Sequence, residues 1–147
     1  MEHKVFVYGT LRRGQRNFPL LATSKFIGDA ETVEQFGMFT RDYPFVTSLV
    51  QQTEIAGEIY EVDDKTLRRL DQLEGHPKFY QRGTAHFTLE NEVPVEAFIY
   101  LFNRPREHFV QIGTPEILNG DFVDPIFSSD EERDLFYRKF VPYRYAY

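Results

Sequence analysis

The sequence contains no cysteine, no tryptophan and only two methionines. Without cysteine there is no disulfide, no thiol nucleophile and no cysteine-ligated zinc or iron–sulfur centre. The absence fits a reducing compartment. Long hydrophobic runs are also missing, and Met1-Glu2-His3-Lys4 leads straight into strand-like sequence. Neither a signal peptide nor a transmembrane helix is expected, and a cytoplasmic location is. Positive charge is in deficit: 17 Lys and Arg face 23 Asp and Glu, a net charge of −6. That balance disfavours nonspecific nucleic-acid binding, which needs a basic surface. His3, His76, His86 and His108 lack the short spacing of a metal site, so no metal is expected.

What is present is aromatic. Fifteen Phe and nine Tyr supply large buried areas in a chain of 147 residues, enough for one compact domain spanning 1–147 without covalent staples. Charged residues make up 27%, which argues against disorder. No repeat, low-complexity segment or linker divides the chain.

Val5-Phe6-Val7-Tyr8 is β-branched and aromatic, as a buried strand requires, and Gly9 ends it. The loop that follows has backbone N–H groups outside any ladder, and these need partners. Consecutive amides form an anion-binding concavity, so a small anionic ligand is one candidate; water and side chains at a plain strand-to-loop corner are the other. Arg12-Arg13-Gly14-Gln15-Arg16-Asn17 continues as a basic polar loop, and Phe18-Pro19-Leu20-Leu21 suggests a short helix. Lys25 to Met38 reads as extended, with Gly28 and Gly37 as bulges or turns. A turn at 41–44 precedes a strand over Phe45 to Val50. Ile55 to Val62 is a further strand, with Ile55 and Ile59 on one face and Tyr60 and Val62 on the other.

Asp63-Asp64 suits a helix N-terminus, Leu67, Leu70 and Leu73 recur at helical spacing, and Gly75 with Pro77 stops the pattern. The spacing predicts a helix over 64–74. Phe79 to Leu89, a turn at 90–92, and Val93 to Leu101 read as a hairpin, with Pro94 at an edge or bulge. Beyond it, Ser128 or Ser129 caps a last helix, and Tyr143-Arg144-Tyr145-Ala146-Tyr147 forms an aromatic–basic tail.

Glu74 is the leading candidate for chemistry. It lies four residues after Leu70 and seven after Leu67, on the apolar face. In the last turn the helix dipole disfavours a carboxylate, and burial does the same, so its pKa should rise. Such a group suits general acid/base work near neutral pH. The alternative is a structural bond to Arg68, Arg69, Arg82 or a tyrosine hydroxyl. Asp71 falls nearer the edge of the stripe.

Two stretches together resemble the gamma-glutamylcyclotransferase-like superfamily, particularly its gamma-glutamylamine cyclotransferase branch. One is Tyr8-Gly9-Thr10-Leu11 followed by Arg13-Gly14-Gln15-Arg16-Asn17. The other is Leu70-Asp71-Gln72-Leu73-Glu74-Gly75 with Tyr80-Gln81-Arg82 shortly after. Phe98 to Pro105 looks like the family's late strand, and Asn119-Gly120-Asp121-Phe122 like its Gly-Asp-Trp segment, with Phe122 in place of the common Trp. The resemblance implies an α+β fold, a small mixed β-barrel flanked by short helices, with no metal or cofactor. It implies cyclisation of a γ-glutamyl group to 5-oxoproline with release of an amine. Glu74 is then the catalytic acid/base, and Tyr8, Gly9, Thr10 and Leu11 the substrate-binding loop. Tyr100 matches a strand tyrosine near the family's pocket, with Tyr80 and Arg82 further candidates beside it. Arg12, Arg13 or Arg82 could share in holding the substrate carboxylate. The implied partner is a small γ-glutamyl molecule, not nucleic acid or a membrane, and no oligomeric state follows. A different reading keeps the pocket for non-catalytic binding of small metabolites; the presence of Glu74 favours the enzyme.

Overall fold

A computed structural model describes residues 2–9, 11–15, 17–40, 44–49 and 51–102. The expected turn at 41–44 lies largely outside them. So do the Gly-Asp-Phe segment at 120–122, the helix capped by Ser128 or Ser129, and the aromatic–basic tail.

Five strands close a barrel in the order β1 (Glu2–Val7), β5 (Ala56–Asp63), β2 (Lys25–Thr32), β6 (Gln81–Leu89) and β7 (Pro94–Leu101). All contacts are antiparallel except β1 against β7, where Val5 faces Phe98 in parallel. The barrel is therefore mixed, as the resemblance implies. A separate two-stranded sheet pairs β3 (Gly37–Thr40) with β4 (Pro44–Thr47). Gly37 thus opens a strand instead of making a turn, and the strand expected over 45–50 is shorter. Near Gly28 the β2–β5 register shifts, the expected bulge. Pro94 starts β7, where a strand tolerates a residue without an N–H.

Strand alternation sorts the apolar side chains into two layers. Phe6, Ala30, Ile59, Phe87 and Ile99, one from each barrel strand, fill the interior, and the Phe6 and Phe87 rings stack with centroids 4.4 Å apart. The opposite faces of β1, β5 and β7 turn Val5, Val7, Tyr60, Val62 and Tyr100 outward, against the helix α1 (Asp64–Glu74). Leu67 and Leu70 of α1 are buried there, each worth about 2 kcal/mol by apolar area. Phe18–Leu21 forms a 3-10 turn whose Leu21 joins the same layer.

The helix boundaries follow from the local chemistry. The Asp63 carboxylate accepts the Thr66 N–H at 2.7 Å. At the other end Gly75 takes φ 67°, its N–H donates to Gln72, and the His76 N–H donates to Asp71 at 2.9 Å. This pair of bonds is a Schellman closure. The Tyr80 N–H then donates to the Glu74 carbonyl at 3.1 Å. Residues 75–80 are thus used to close the helix, which is why β6 begins at Gln81 and not at Phe79. Among the described residues, no helix is long and apolar enough to cross a membrane.

Candidate active site

The C-terminal ends of β1 and β7 lie side by side and both face the end of α1. Tyr8 follows β1 with its ring in the barrel interior, and its hydroxyl donates to the Tyr100 carbonyl at 2.7 Å. Tyr100 points the other way, and its hydroxyl donates to Asp71 at 2.7 Å. Asp71 also accepts from Arg82 at 2.5 Å, and the Arg82 guanidinium lies over the Phe98 ring, 4.7 Å from its centroid. The Arg82 N–H donates to His76 Nδ1 at 3.0 Å.

These contacts decide what surrounds Glu74. Arg82 and the Tyr100 hydroxyl are committed to Asp71, one turn earlier. The last turn of α1 carries no basic residue. Among the described residues the Glu74 carboxylate makes no hydrogen bond and no ion pair. Leu70, Leu73, Phe79, Tyr80 and Tyr100 form the apolar layer beside it. Desolvation alone pushes its carboxyl from 4.5 up to about 8. The residue is only partly buried, so the acid keeps some contact with solvent. Tyr100 is pushed above the ordinary tyrosine range, first by burial, then by its bond to Asp71 and the charges of Asp71 and Glu74. It therefore stays a neutral hydroxyl.

Gly9 and Leu11 are buried, and Leu11 packs in the same layer as Leu70, Tyr80 and Tyr100. The Arg12 N–H closes a turn onto the Gly9 carbonyl at 3.0 Å, while the Leu11 N–H has no partner among the described residues. Thr10 lies outside those residues. The loop and the helix end are thus joined through one packed layer.

Two residues passed over by the sequence reading hold this arrangement. One is Asp71. The other is Glu58 in β5, which bonds Arg12 at 3.1 Å and the Arg13 N–H at 2.9 Å. Its signal in the sequence was a carboxylate sharing a strand face with Tyr60 and Val62. Arg12, Arg13 and Arg82, the arginines expected near the substrate carboxylate, each meet a carboxylate of the chain itself: Arg12 and Arg13 meet Glu58, Arg13 also Asp29 at 2.6 Å, and Arg82 meets Asp71. A groove of about 690 Å³ borders the far side of the loop, lined by Arg12, Arg13, Asp29, Gly57 and Glu92 among others. Glu74 and Tyr100 are not part of it. No cluster of metal-ligating side chains occurs among the described residues.

Residues 5–124 match the family described as gamma-glutamyl cyclotransferase, AIG2-like. The chain belongs to this family. A putative gamma-glutamylcyclotransferase of Methanocaldococcus jannaschii is 44% identical over 99 residues, covering 67% of this chain and 82% of the relative. The gamma-glutamylaminecyclotransferase of Bos taurus is 37% identical over 106 residues, 65% of this chain and 63% of that protein. The crystal structure of an AIG2-like protein from Mus musculus superposes with a TM-score of 0.69 at 28% identity, covering 87% of this chain and 99% of that one. The five-stranded mixed barrel with its flanking helix is therefore the family fold in this AIG2-like member.

Proposed function

We propose that Glu74 is the general acid/base of a gamma-glutamyl cyclotransferase reaction, and that the backbone of Gly9 to Leu11 binds the γ-glutamyl group. Family membership makes the chain an enzyme of the gamma-glutamylcyclotransferase type. The observation that carries the residue assignment is the desolvated carboxyl of Glu74, without a partner among the described residues, at the end of a helix whose Leu70 shares a packed layer with Tyr100 and Leu11.

The chemistry requires such a group. The substrate α-amino group must lose a proton before it can attack. It shares its carbon with a carboxylate and is protonated at neutral pH, and a carboxylate whose acid form is held at about 8 takes that proton far more readily than one at 4.5. The neutral nitrogen then attacks the γ-carbonyl carbon of the same molecule, forming the ring C–N bond. The carbonyl oxygen gains negative charge, which the Leu11 amide, without a partner among the described residues, is suited to stabilise. Collapse breaks the original amide bond: protonated Glu74 gives its proton to the departing nitrogen, takes the second proton from the ring nitrogen, and passes that one to the released amine, which leaves as an ammonium ion. The products are 5-oxoproline and a free amine, and Glu74 ends as it began. Holding the substrate folded turns attack into a five-membered closure, the kind of step that gains most from orientation.

Gamma-glutamylamines are the proposed substrates, because the bovine relative carries that name and the Arg13-Gly14-Gln15-Arg16-Asn17 loop resembles that branch. Incubation with a panel of γ-glutamylamines and γ-glutamyl amino acids, with 5-oxoproline as readout, tests this. Glu74→Gln should lower turnover about 10²- to 10⁴-fold. Equal turnover by both proteins would reject Glu74 as the acid/base, and binding of substrate without product would favour a non-catalytic binding protein.

A further inference from the structure

Glu58 sits in the middle of β5, opposite Val7 of β1 and Asp29 of β2, and is 3% exposed. A buried carboxylate is costly, and a well-packed apolar residue usually serves stability at least as well. Its bonds indicate another use. One carboxylate oxygen accepts from the Arg12 side chain at 3.1 Å. The other accepts the Arg13 backbone N–H at 2.9 Å and the Tyr60 hydroxyl at 2.9 Å, with Arg13 Nε at 3.5 Å. Two successive loop residues are thus tied to the barrel wall by one side chain.

These residues end the turn that begins at Gly9, since the Arg12 N–H closes onto the Gly9 carbonyl. The start of the same turn is fixed by the Tyr8 hydroxyl on the Tyr100 carbonyl. Between the two ties lies the Leu11 amide. Arg13 is held further by Asp29 at 2.6 Å and by the Phe26 ring, 4.5 Å from its guanidinium carbon.

We infer that Glu58 is a positioning residue of the active site: by gripping Arg12 and the Arg13 amide it holds the turn after β1 in the shape that presents the Leu11 N–H to substrate. The inference rests on the proposed role of the loop in binding the γ-glutamyl group. The loop presents its amide both to the bound γ-glutamyl group and to the oxyanion formed from it, so loss of the clamp weakens binding and slows ring closure together, while the proton transfers at Glu74 keep their pH dependence.

The test uses Glu58→Gln, which keeps the shape and an acceptor for the Arg13 amide but removes the charge holding Arg12. A second variant, Arg12→Gln, cuts the same tie from the loop side should the first fail to fold. KM for a γ-glutamylamine should rise about tenfold and kcat should fall by about the same factor, with the pH at which kcat/KM rises unchanged. Hydrogen exchange at the Leu11, Arg12 and Arg13 amides should speed up without substrate. A purely structural Glu58 would lower the amount of active enzyme, reducing kcat at constant KM with unchanged exchange in the loop, and that result overturns the inference. The exchange readout needs no turnover. A wild-type protein that makes no 5-oxoproline therefore defeats the catalytic reading, whereas unchanged exchange in a folded variant defeats the clamp.

Discussion

Replacing Glu74 with glutamine should make the protein more stable and less active, and the stability gain should depend on pH. In the folded chain the carboxyl titrates at about 8, against 4.5 for an ordinary glutamate. A raised pKa means that the fold prefers the neutral acid. The favourable contribution is complete below about 4.5 and disappears as pH rises through about 8. At about 1.36 kcal/mol per pH unit, the full shift has an upper limit of about 5 kcal/mol. Glu74 retains some contact with solvent, which screens the charge and leaves a few kcal/mol at alkaline pH. Glutamine has nearly the same shape and never ionises, so it escapes this cost.

For a chain of this size about 1 kcal/mol moves the thermal midpoint by about 2–4 °C. Glu74→Gln should therefore melt within a few degrees of wild type at pH 5 and about 5–10 °C above it at pH 9. Thermal unfolding across pH 5–9 in the absence of substrate is the assay. It is cleaner than a rate profile alone, because the substrate amine also titrates on the alkaline side. The accompanying rate measurement should show kcat/KM of wild type rising through pH 8. A Tm difference that stays constant from pH 5 to 9 would refute the reasoning, since it would mean that the carboxylate is solvated or paired in solution.

Asp71→Asn should release Arg82 and the Tyr100 hydroxyl towards Glu74, lowering the acid limb of kcat/KM by about one pH unit and turnover about tenfold; adding Arg82→Gln should restore the limb. Gly57→Ala places a Cβ 2.2 Å from the Val7 carbonyl and 2.7 Å from the Phe6 ring, where β1 and β5 approach. Overpacking against a backbone oxygen should cost about 3 kcal/mol or more, read as a lower urea midpoint or loss of soluble protein. Gly75→Ala forces a side chain into φ 67° and to 2.9 Å from Phe79 Cβ. It should cost about 1–2 kcal/mol in Tm measurements and lower turnover by moving the end of α1.

The helix was legible because every signal for it is local. Asp63 caps its third amide, three leucines mark one face, and Gly75 supplies the left-handed residue that closes it. The orientation of Glu74 follows from the same periodicity. The barrel was legible only by resemblance. Its closure depends on β1 meeting β7 in parallel across about ninety residues, and period-two alternation says which face is buried without saying which strand is next. Much of the chemistry of the arginines was hidden for the same reason. Arg12 and Arg13 read as a basic loop, but their partner Glu58 is 45 or more residues away.

Asp71 shows most clearly where local reading stops. By position it lies at the edge of the apolar stripe, three residues before Glu74; the stripe marks Glu74 for burial but does not say which partners Asp71 takes. Tertiary placement separates them. Tyr100 from β7 and Arg82 from β6 both reach Asp71, and each bond made there removes a partner that Glu74 would otherwise share. Two acids on one helix face thus come to opposite conditions: Asp71 serves as the ionic tie between the helix and the barrel, while Glu74 is desolvated without compensation. Paired carboxylates with divergent environments are how one site keeps an ionised structural group beside an exchangeable proton. The site therefore depends on Asp71 being satisfied as much as on Glu74 being buried, and a variant that preserves Glu74 but frees Arg82 should lose the acid/base without touching it.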